Sequence, residues 1–444
     1  MAISDETESA RELPEPYDIG KPIDRGIKFK QYVYENRVHV GVAIIFLLYP
    51  FLYAGLVGLP VVGEIFGAFL PATRFMVVVI YLGLFAVSFD FISGYTGYLS
   101  FGHAAFFGVG AYFVILATHP EKFFWLPADT PFMITMLLGA TLALIVAILI
   151  GLVSFRLSGV YFAMITLGFA QIMYELIRHW DWIGANPTDG PTTQLGEGYR
   201  IGVPYVDQLS VELGLIHGTS IDNVLGLGFD IGPRIVSFIA LGMVAFVAYL
   251  MMQRIIHSPF GRVMIAIREN EERARAIGYN VYWYKIWAFA ISGFFGGIAG
   301  ALFAGYSRSI SPENSFFFLV TADALITAII GGLGTLAGAM YGMAFYQWLE
   351  DLLSTAADGG IVTFLRDYVP ESIYTADLFG ISMEAFVNSA VDGRAGLYLG
   401  IVFVLFVLFV PNGILGTVRD RIGGKAAERL PAHLDRYIRV LRRR

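Results

Sequence analysis

The chain has 444 residues, of which 56% are hydrophobic and only 15% are charged, and its formal net charge is −6. About a quarter of the residues in a soluble domain are charged, so this composition excludes an ordinary soluble globular protein. The absence of cysteine excludes disulfide bonds, cysteine-ligated metals and thiol nucleophiles.

Long apolar runs predict membrane-spanning helices, because about 20 residues cross the hydrocarbon core of a bilayer. The first run begins near Val38, too far along the chain for a cleaved signal peptide, and is interpreted as a span. The predicted fold class is an all-α polytopic membrane protein with about ten transmembrane helices, some broken or re-entrant. The predicted spans are 40–58, 74–93, 99–118, 132–155, 158–177, 234–253, 286–306, 318–331, 336–350 and 396–414.

The distribution of charge predicts the orientation. Lys and Arg are concentrated in the arm 21–37, in the loop 254–285 and in the tail 417–444, which holds nine of them. The loops 179–232 and 351–394 each carry seven acidic residues against one and two Arg, respectively. Because Lys/Arg-rich flanks stay cytoplasmic, both termini and the loop 254–285 are predicted to be inside.

The predicted organisation follows from these spans and charges. A polar cytoplasmic arm, 1–38, precedes a transmembrane domain, 39–416, and a basic cytoplasmic tail, 417–444, ends the sequence. The two acidic loops are predicted to be external and are too short for a soluble domain of usual size. Two termini on one side require an even number of crossings, so 318–350 either crosses twice or folds back as a re-entrant hairpin.

The first informative segment, residues 94–112, is rich in glycine for a membrane helix. Each glycine costs a helix up to about 1 kcal/mol relative to alanine, so the pattern predicts either close helix packing or a broken helix that lines a cavity. Ionisable residues inside a membrane often mark a solute pathway; the alternative is a packing seam in which His103 bonds a neighbouring helix. Asp90 is expected near the cytoplasmic interface. The pathway candidates in this region are Asp90, Gly94, Gly97, Ser100, Gly102 and His103.

Within the loop 254–285, residues 261–278 predict one short amphipathic helix, and Gly278 is placed to end it. A helix of mixed charge between two spans suits docking into a groove of a partner; the alternative is a solvated surface helix. Apolar residues recur at helical spacing between the charges, namely Val263, Ala266, Ile267, Ala274 and Ile277.

A third segment, residues 323–338, places a carboxylate in an apolar run that glycines interrupt. It faintly repeats the first segment, since Gly331-x-x-Gly334-x-Leu336 parallels Gly94-x-x-Gly97-x-Leu99. Paired glycine-interrupted spans in the two halves of a transporter indicate its binding region; chance is the alternative explanation. The pathway candidates here are Asp323, Gly331, Gly332 and Gly334.

No catalytic or nucleotide-binding motif is present: HExxH, GxSxG and GxxxxGK[ST] are all absent. The chain is therefore predicted not to be an enzyme and to bind no metal or cofactor of its own. If ATP is used, another chain must bind it. A competing hypothesis is a self-sufficient secondary transporter or channel, which needs ion-coupling groups in its spans. The candidates for that role are only Asp90, His103, Glu175 and Asp323.

Together these segments resemble the permease subunits of branched-chain amino acid ABC transporters, and the resemblance covers about residues 75–415. GYTGYLSFGHAAFFGVGAY (94–112) is similar to the glycine–histidine signature of that family, and YFAMITLGFA (161–170) is similar to its next motif, adding Thr166 to the pathway candidates. Residues 261–278 resemble its cytoplasmic coupling loop, and Ser311-Pro312 and GGLGT (331–335) resemble its C-terminal half. The extra N-terminal span and the loop sequence are similar to the longer, M-type permease.

The resemblance implies a plasma-membrane importer built from two permeases, which form a heterodimer, two cytoplasmic ATPases that use ATP, and an external solute-binding protein. It implies no nucleic-acid partner, and the lipid bilayer surrounds the helices. The loop 261–278 would seat in the ATPase. Its coupling residues would be Gly261, Arg268, Glu269, Asn270, Glu271, Glu272, Ala274 and Gly278.

Three departures from the family pattern bear on function. Asp90 occupies a position where asparagine is expected, the loops 179–232 and 351–394 are longer than expected, and the arm 1–38 has no counterpart. The resemblance implies a branched-chain amino acid as solute, and urea or short amides, carried by related permeases, stay open as the alternative.

Overall fold

The computed structural model describes residues 37–59, 63–119, 121–123, 126–127, 130–183, 187–193, 199–202, 210–213, 220, 232–353, 377–378, 381–382, 395–410, 413–414 and 416–417. The predictions for the arm 1–38 and the tail 417–444 therefore lie almost wholly outside the described residues, as do most residues of the two acidic loops. The chain divides into two units, 1–46 and 47–444. Every contact discussed below lies within the second unit.

The described residues are mostly helical. The helices are α1 (Arg37–Val57), α2 (Gly63–Phe69), α3 (Thr73–Thr96), α4 (His103–Leu116), α5 (Phe132–Ser154), α6 (Val160–His179), α7 (Pro233–Ile256), α8 (Pro259–Glu269), α9 (Glu271–Ala276), α10 (Val281–Ser307), α11 (Pro312–Ser315), α12 (Phe318–Gly331), α13 (Leu336–Leu352) and α14 (Ala395–Phe409). All ten segments predicted as spans contain a helix.

Length and hydropathy identify a multi-pass membrane protein. Among the described residues, six apolar stretches are long enough to cross a bilayer: Thr73–Thr96, Phe132–Ser154, Val160–His179, Pro233–Ile256, Val281–Ser307 and Pro312–Gly331, the last of which joins α11 and α12. The total of ten crossings and the orientation of the termini stay predictions.

Short strands occur in the two acidic loops. β1 (Arg200–Gly202) pairs antiparallel with β2 (Ser210–Glu212), with Ile201 opposite Val211. β3 (Asp377–Leu378) pairs antiparallel with β4 (Ile381–Ser382). Thr192 also bridges to Ser309, so the first loop is hydrogen-bonded to the segment that follows α10.

The centre of the helical unit is α10, which packs most extensively against α5 and α4 and also against α3. Small residues permit this close approach: a Cβ added to Gly110 would lie 2.0 Å from the carbonyl oxygen of Gly297, and one added to Gly300 would lie 1.9 Å from that of Phe107. Close contact through small residues drives helix association in membranes. The glycine-rich segment 94–112 therefore serves packing at its C-terminal part.

The predicted span 99–118 is corrected, because α4 begins only at His103. Gly97 ends α3 in the left-handed conformation, with φ of 79°, and its N–H donates to the carbonyl oxygen of Ser93. Residues 97–102 are then non-helical. The glycines at 94–102 thus mark a break between two helices, which is the broken-helix alternative.

The single amphipathic helix predicted for 261–278 is also corrected, because the segment forms two helices that meet at Asn270. The Asn270 side chain accepts a hydrogen bond from the Arg273 N–H at 2.8 Å and caps the start of α9. The chain direction changes there, so helical spacing does not carry across the junction. Ala274 stays buried, whereas Ile277, predicted on the same apolar face, is 68% exposed.

Candidate functional site

The loop 254–285 touches both glycine breaks directly. The Arg268 guanidinium at the end of α8 donates to the carbonyl oxygen of Gly94 at the end of α3. Beside it, the Asp90 carboxylate accepts a hydrogen bond from the Gly334 N–H at 2.7 Å. Asp90 is fully buried within the protein, and it joins the end of α3 to the turn between α12 and α13.

Only glycine fits at this crossing. A Cβ on Gly94 would lie 2.3 Å from the Asp90 carboxylate and 2.5 Å from the Gly334 nitrogen. Gly334 adopts φ of 80°, a conformation that disfavours other residues. Gly331 and Gly332 are buried in the same turn and Gly97 lies exposed beside Arg268. The faint repeat between the first and third segments therefore corresponds to two glycine breaks in contact.

A second set of polar contacts joins α9 to the break before α4. The Tyr98 hydroxyl donates to Glu271 Oε2 at 2.6 Å, and Lys285 donates to Glu271 Oε1 at 3.1 Å and to the Tyr98 hydroxyl at 3.0 Å. Lys285 is nearly fully buried and also lies 4.6 Å from the centroid of the Tyr98 ring. Arg275 pairs with Glu271 one helical turn later, at 3.0 Å.

The electrostatics of Glu271 follow from these contacts. Partial burial acts to raise the pKa of its carboxyl, but hydrogen bonds from Tyr98 and Lys285, together with the charges of Lys285 and Arg275, outweigh burial and lower the pKa below its ordinary value. Glu271 is therefore held as a carboxylate. We call these two sets of contacts the polar junction; its members are Asp90, Gly94, Tyr98, Arg268, Glu271, Lys285 and Gly334.

The predicted coupling residues divide between the polar junction and the surface. Within α8 and α9, Gly261 and Ala274 are buried, and Gly278 follows the end of α9 at φ of 99°, as predicted for a terminating glycine. The remaining residues present charge or polarity to solvent, namely Glu269, Asn270 and Glu272. Val263, Ile267, Ala274 and Val281 form a small core under the two helices.

Hydroxyl groups of other helices cap the break before α4. Thr166 on α6 accepts from the Phe101 N–H at 3.2 Å, and Thr321 on α12 accepts from the Ala104 N–H at 2.7 Å. Ser100 accepts from the Gly102 N–H at 3.3 Å. The free N–H groups at a helix start need such partners when they are buried. The sequence did not predict the role of Thr321, because nothing near a threonine in an apolar helix indicates that it caps a helix 217 residues away.

His103 lies buried in an aromatic cluster. Its Nε2 is 2.7 Å from the Ser292 hydroxyl, which in turn donates to the carbonyl oxygen of Ser88. The side chain is fully buried, with the rings of Phe89 and Phe106 at 5.4 and 5.3 Å. This geometry favours the packing alternative for His103, which links α4 to α10 and α3.

Asp323 lies apart from the polar junction and borders a cavity. Its Oδ1 accepts a hydrogen bond from the Tyr346 hydroxyl at 3.2 Å, and the cavity, of about 320 Å³, is also bordered by Glu313. Asp323 is the one predicted site residue that borders this cavity. Within the described residues no group of His, Asp or Glu could hold a metal ion.

The family model described as branched-chain amino acid transport system / permease component matches residues 72–379. Among known proteins, the chain is similar to the high-affinity branched-chain amino acid transport system permease protein LivM of Escherichia coli, with 31% identity over 267 residues. LivM of Salmonella typhimurium is 30% identical over 268 residues. Each match covers 60% of this chain and 58% of the relative.

Sugar permeases are more distant relatives. The ribose import permease protein RbsC of Haemophilus influenzae is 25% identical over 158 residues, which is 35% of this chain and 48% of that protein. No solved structure matches the chain.

Proposed function

Because this chain belongs to the family of permease components of branched-chain amino acid transport systems, we propose that it is the pore-forming subunit of an ATP-driven importer for branched-chain amino acids. The family consists of transporter components, so the chain is a transport protein of the multi-pass membrane type, and the prediction that it is not an enzyme is confirmed. The M-type resemblance is confirmed by the LivM relatives. The solute and the partners belong to the proposal.

The observation that carries the mechanism is the polar junction. A force applied to α9 reaches Tyr98 through Glu271, and a force applied to α8 reaches Gly94 through Arg268. Both receiving residues lie at helix breaks, where few helical hydrogen bonds resist rotation. Movement of the loop is thereby turned into movement of α3, α4 and the α12–α13 turn, which changes the access of the pathway.

The surface of the loop suits an ATPase partner. Ile277 and Tyr279 are 68% and 40% exposed, and Glu272, Arg273 and Arg275 are exposed around them. An apolar tip ringed by charges fits a groove on a soluble protein. In this proposal the partner chains bind and hydrolyse ATP, a second permease completes the pathway, and an external solute-binding protein docks on the acidic loops.

The experiment is uptake by the assembled transporter in proteoliposomes, with ATPase and solute-binding protein supplied. Radiolabelled leucine should enter only with ATP and with both partners present. Uptake of leucine by this chain alone down an ion gradient would establish the secondary-transporter alternative instead. ATP-driven uptake of urea or a short amide, with none of leucine, would replace the amino acid by the alternative solute.

A further inference from the structure

The cavity beside Asp323 lies at the far end of the helices from the polar junction. Tyr81 and Phe303, which border it, lie in the halves of α3 and α10 remote from the loop 254–285. Its volume of about 320 Å³ is at the lower end of the range for small-molecule sites, about 300–1,000 Å³. The cavity is thus of a size for one small solute.

One wall of the cavity is a continuous aromatic surface. The ring of Phe303 lies 5.3 Å from that of Tyr81 and 5.5 Å from that of Phe107, and Phe107 lies 5.0 Å from Phe85. These rings interlock at the spacing of packed aromatic pairs. The wall offers apolar contact to a solute side chain.

The lining of the cavity also includes two carboxylates, Asp323 and Glu313, and no basic residue. Asp323 accepts one hydrogen bond from Tyr346, and Glu313 accepts one from Tyr174 at 3.1 Å. A carboxylate offers about four acceptor positions, so both groups retain capacity for another donor. Two carboxylates at an apolar cavity favour a cation, and the three N–H donors of a primary ammonium match them.

The start of α12 supplies the complementary charge. Phe317 is its N-cap residue and provides no side-chain hydrogen bond to it, and Leu319 and Val320, in the first turn, line the cavity. The N–H of Val320 donates to the carbonyl oxygen of Phe317, so the N–H groups of Phe318 and Leu319 are the ones at this helix start that attract an anion. Asn314 also lines the cavity. Positive and negative recognition elements therefore face the same small space as the aromatic wall.

We infer that this cavity is a binding site for an aliphatic α-amino acid, with the ammonium at Asp323 and Glu313, the carboxylate at the start of α12 and the side chain on the aromatic wall. This inference deepens the proposed function and rests on it for the choice of solute. Urea and short amides carry no separated charges, so they leave both carboxylates without a cationic partner.

Cysteine protection tests the site directly, because the chain contains no cysteine. Leu319→Cys, at a position 50% exposed on the cavity, is labelled with a neutral maleimide in membranes that hold the full chain. Leucine should slow the labelling, 3-methylbutylamine should slow it less, and 4-methylpentanoate and urea should not. Asp189→Cys, on the exposed loop, serves as the control whose labelling no solute changes.

A second substitution assigns the protection to the carboxylate. Asp323→Asn should raise the leucine concentration for half protection about tenfold or more, since hydrogen bonds to charged groups are strong. Glu175→Gln, an exposed carboxylate on α6 outside the cavity, should leave that concentration unchanged. If Asp323→Asn reduces the amount of folded protein, Glu313→Gln replaces it in the same comparison.

The outcomes separate this site from the proposed function. The site is overturned by any of three results. These are equal protection by leucine and urea, unchanged protection in both carboxylate variants, and no labelling at Leu319→Cys. Protection by leucine without ATP-driven leucine uptake by the assembled transporter overturns the proposed function and leaves the site standing. Leucine uptake by the assembled transporter without any protection at Leu319→Cys overturns the site and leaves the proposed function standing.

Discussion

The two ends of the helical unit are built in opposite ways. At the polar junction, backbone meets backbone across Gly94 and Gly334, and charged groups of the loop are paired with groups of the helix ends. At the other end, Asp323 and Glu313 border an opening with no basic residue among its lining groups. The comparison shows a unit that is held together by polar contacts beside the loop and that has a cavity at its far end.

Among the substitutions that test this comparison, that of Gly94 should have the largest effect on ATP-driven uptake. In Gly94→Ala the added methyl would overlap the Gly334 nitrogen and the Asp90 carboxylate, and overpacking costs about 1–3 kcal/mol. We expect ATP-driven uptake to fall about tenfold or more, because the two breaks can no longer close against each other. Uptake is normalised to the protein in the membrane.

Gly168→Ala on α6 is the matched control, because nothing lies within 4 Å of the Cβ that it adds. It should transport like the native protein, since alanine is the better helix former. Uptake at the native level by Gly94→Ala would contradict the claim that transport requires the close contact between Gly94 and Gly334.

Substitution of Glu271 should have an intermediate effect. Glu271→Gln removes the charge that Tyr98 and Lys285 hold and leaves the buried Lys285 ammonium without a carboxylate. We expect uptake to fall about tenfold while ATP hydrolysis by the assembled transporter continues. Glu175→Gln, an exposed carboxylate on α6 outside the loop 254–285, should keep both activities. Equal loss of both activities in Glu271→Gln would indicate failed assembly in place of uncoupling.

The same residue predicts a dependence on pH. The contacts of Glu271 with Tyr98, Lys285 and Arg275 lower its pKa below the ordinary value of 4.5. Its stabilising contribution is therefore complete above that ordinary pKa and is lost as the pH falls through the lowered pKa. The unfolding temperature of the native protein should fall over this acidic range. It should fall less in Glu271→Gln.

Substitution of Thr321 should have the smallest effect. Thr321→Val removes the acceptor for the Ala104 N–H at the buried start of α4, and the loss of a cap costs about 1 kcal/mol. A modest decrease in the unfolding temperature should result. Thr141→Val, on the exposed face of α5, where Thr141 bonds only its own helix, should unfold like the native protein, and an equal decrease there would contradict the capping role.

The helices were accessible to sequence reasoning because their apolar runs are long and continuous. The prediction 318–331 coincides with α12, and 132–155 differs from α5 by one residue. The site was less accessible. Asp90 and Gly334 are 244 residues apart, and Glu271, Tyr98 and Lys285 come from three separate elements, so no spacing rule relates them. In the sequence, Lys285 stands out only as one of the basic residues of the loop 254–285, which predict the orientation.

The sequence by itself determined that the chain enters a membrane many times and that glycines interrupt two of its helices, because hydropathy and helix propensity act along the chain. Tertiary structure alone decided that the two breaks touch, that His103 serves packing, and that α9 bonds the first break. It also decided that Asp323 and Glu313 share a cavity with the start of α12. These features depend on which helices become neighbours, and packing, which local propensity does not encode, selects the neighbours.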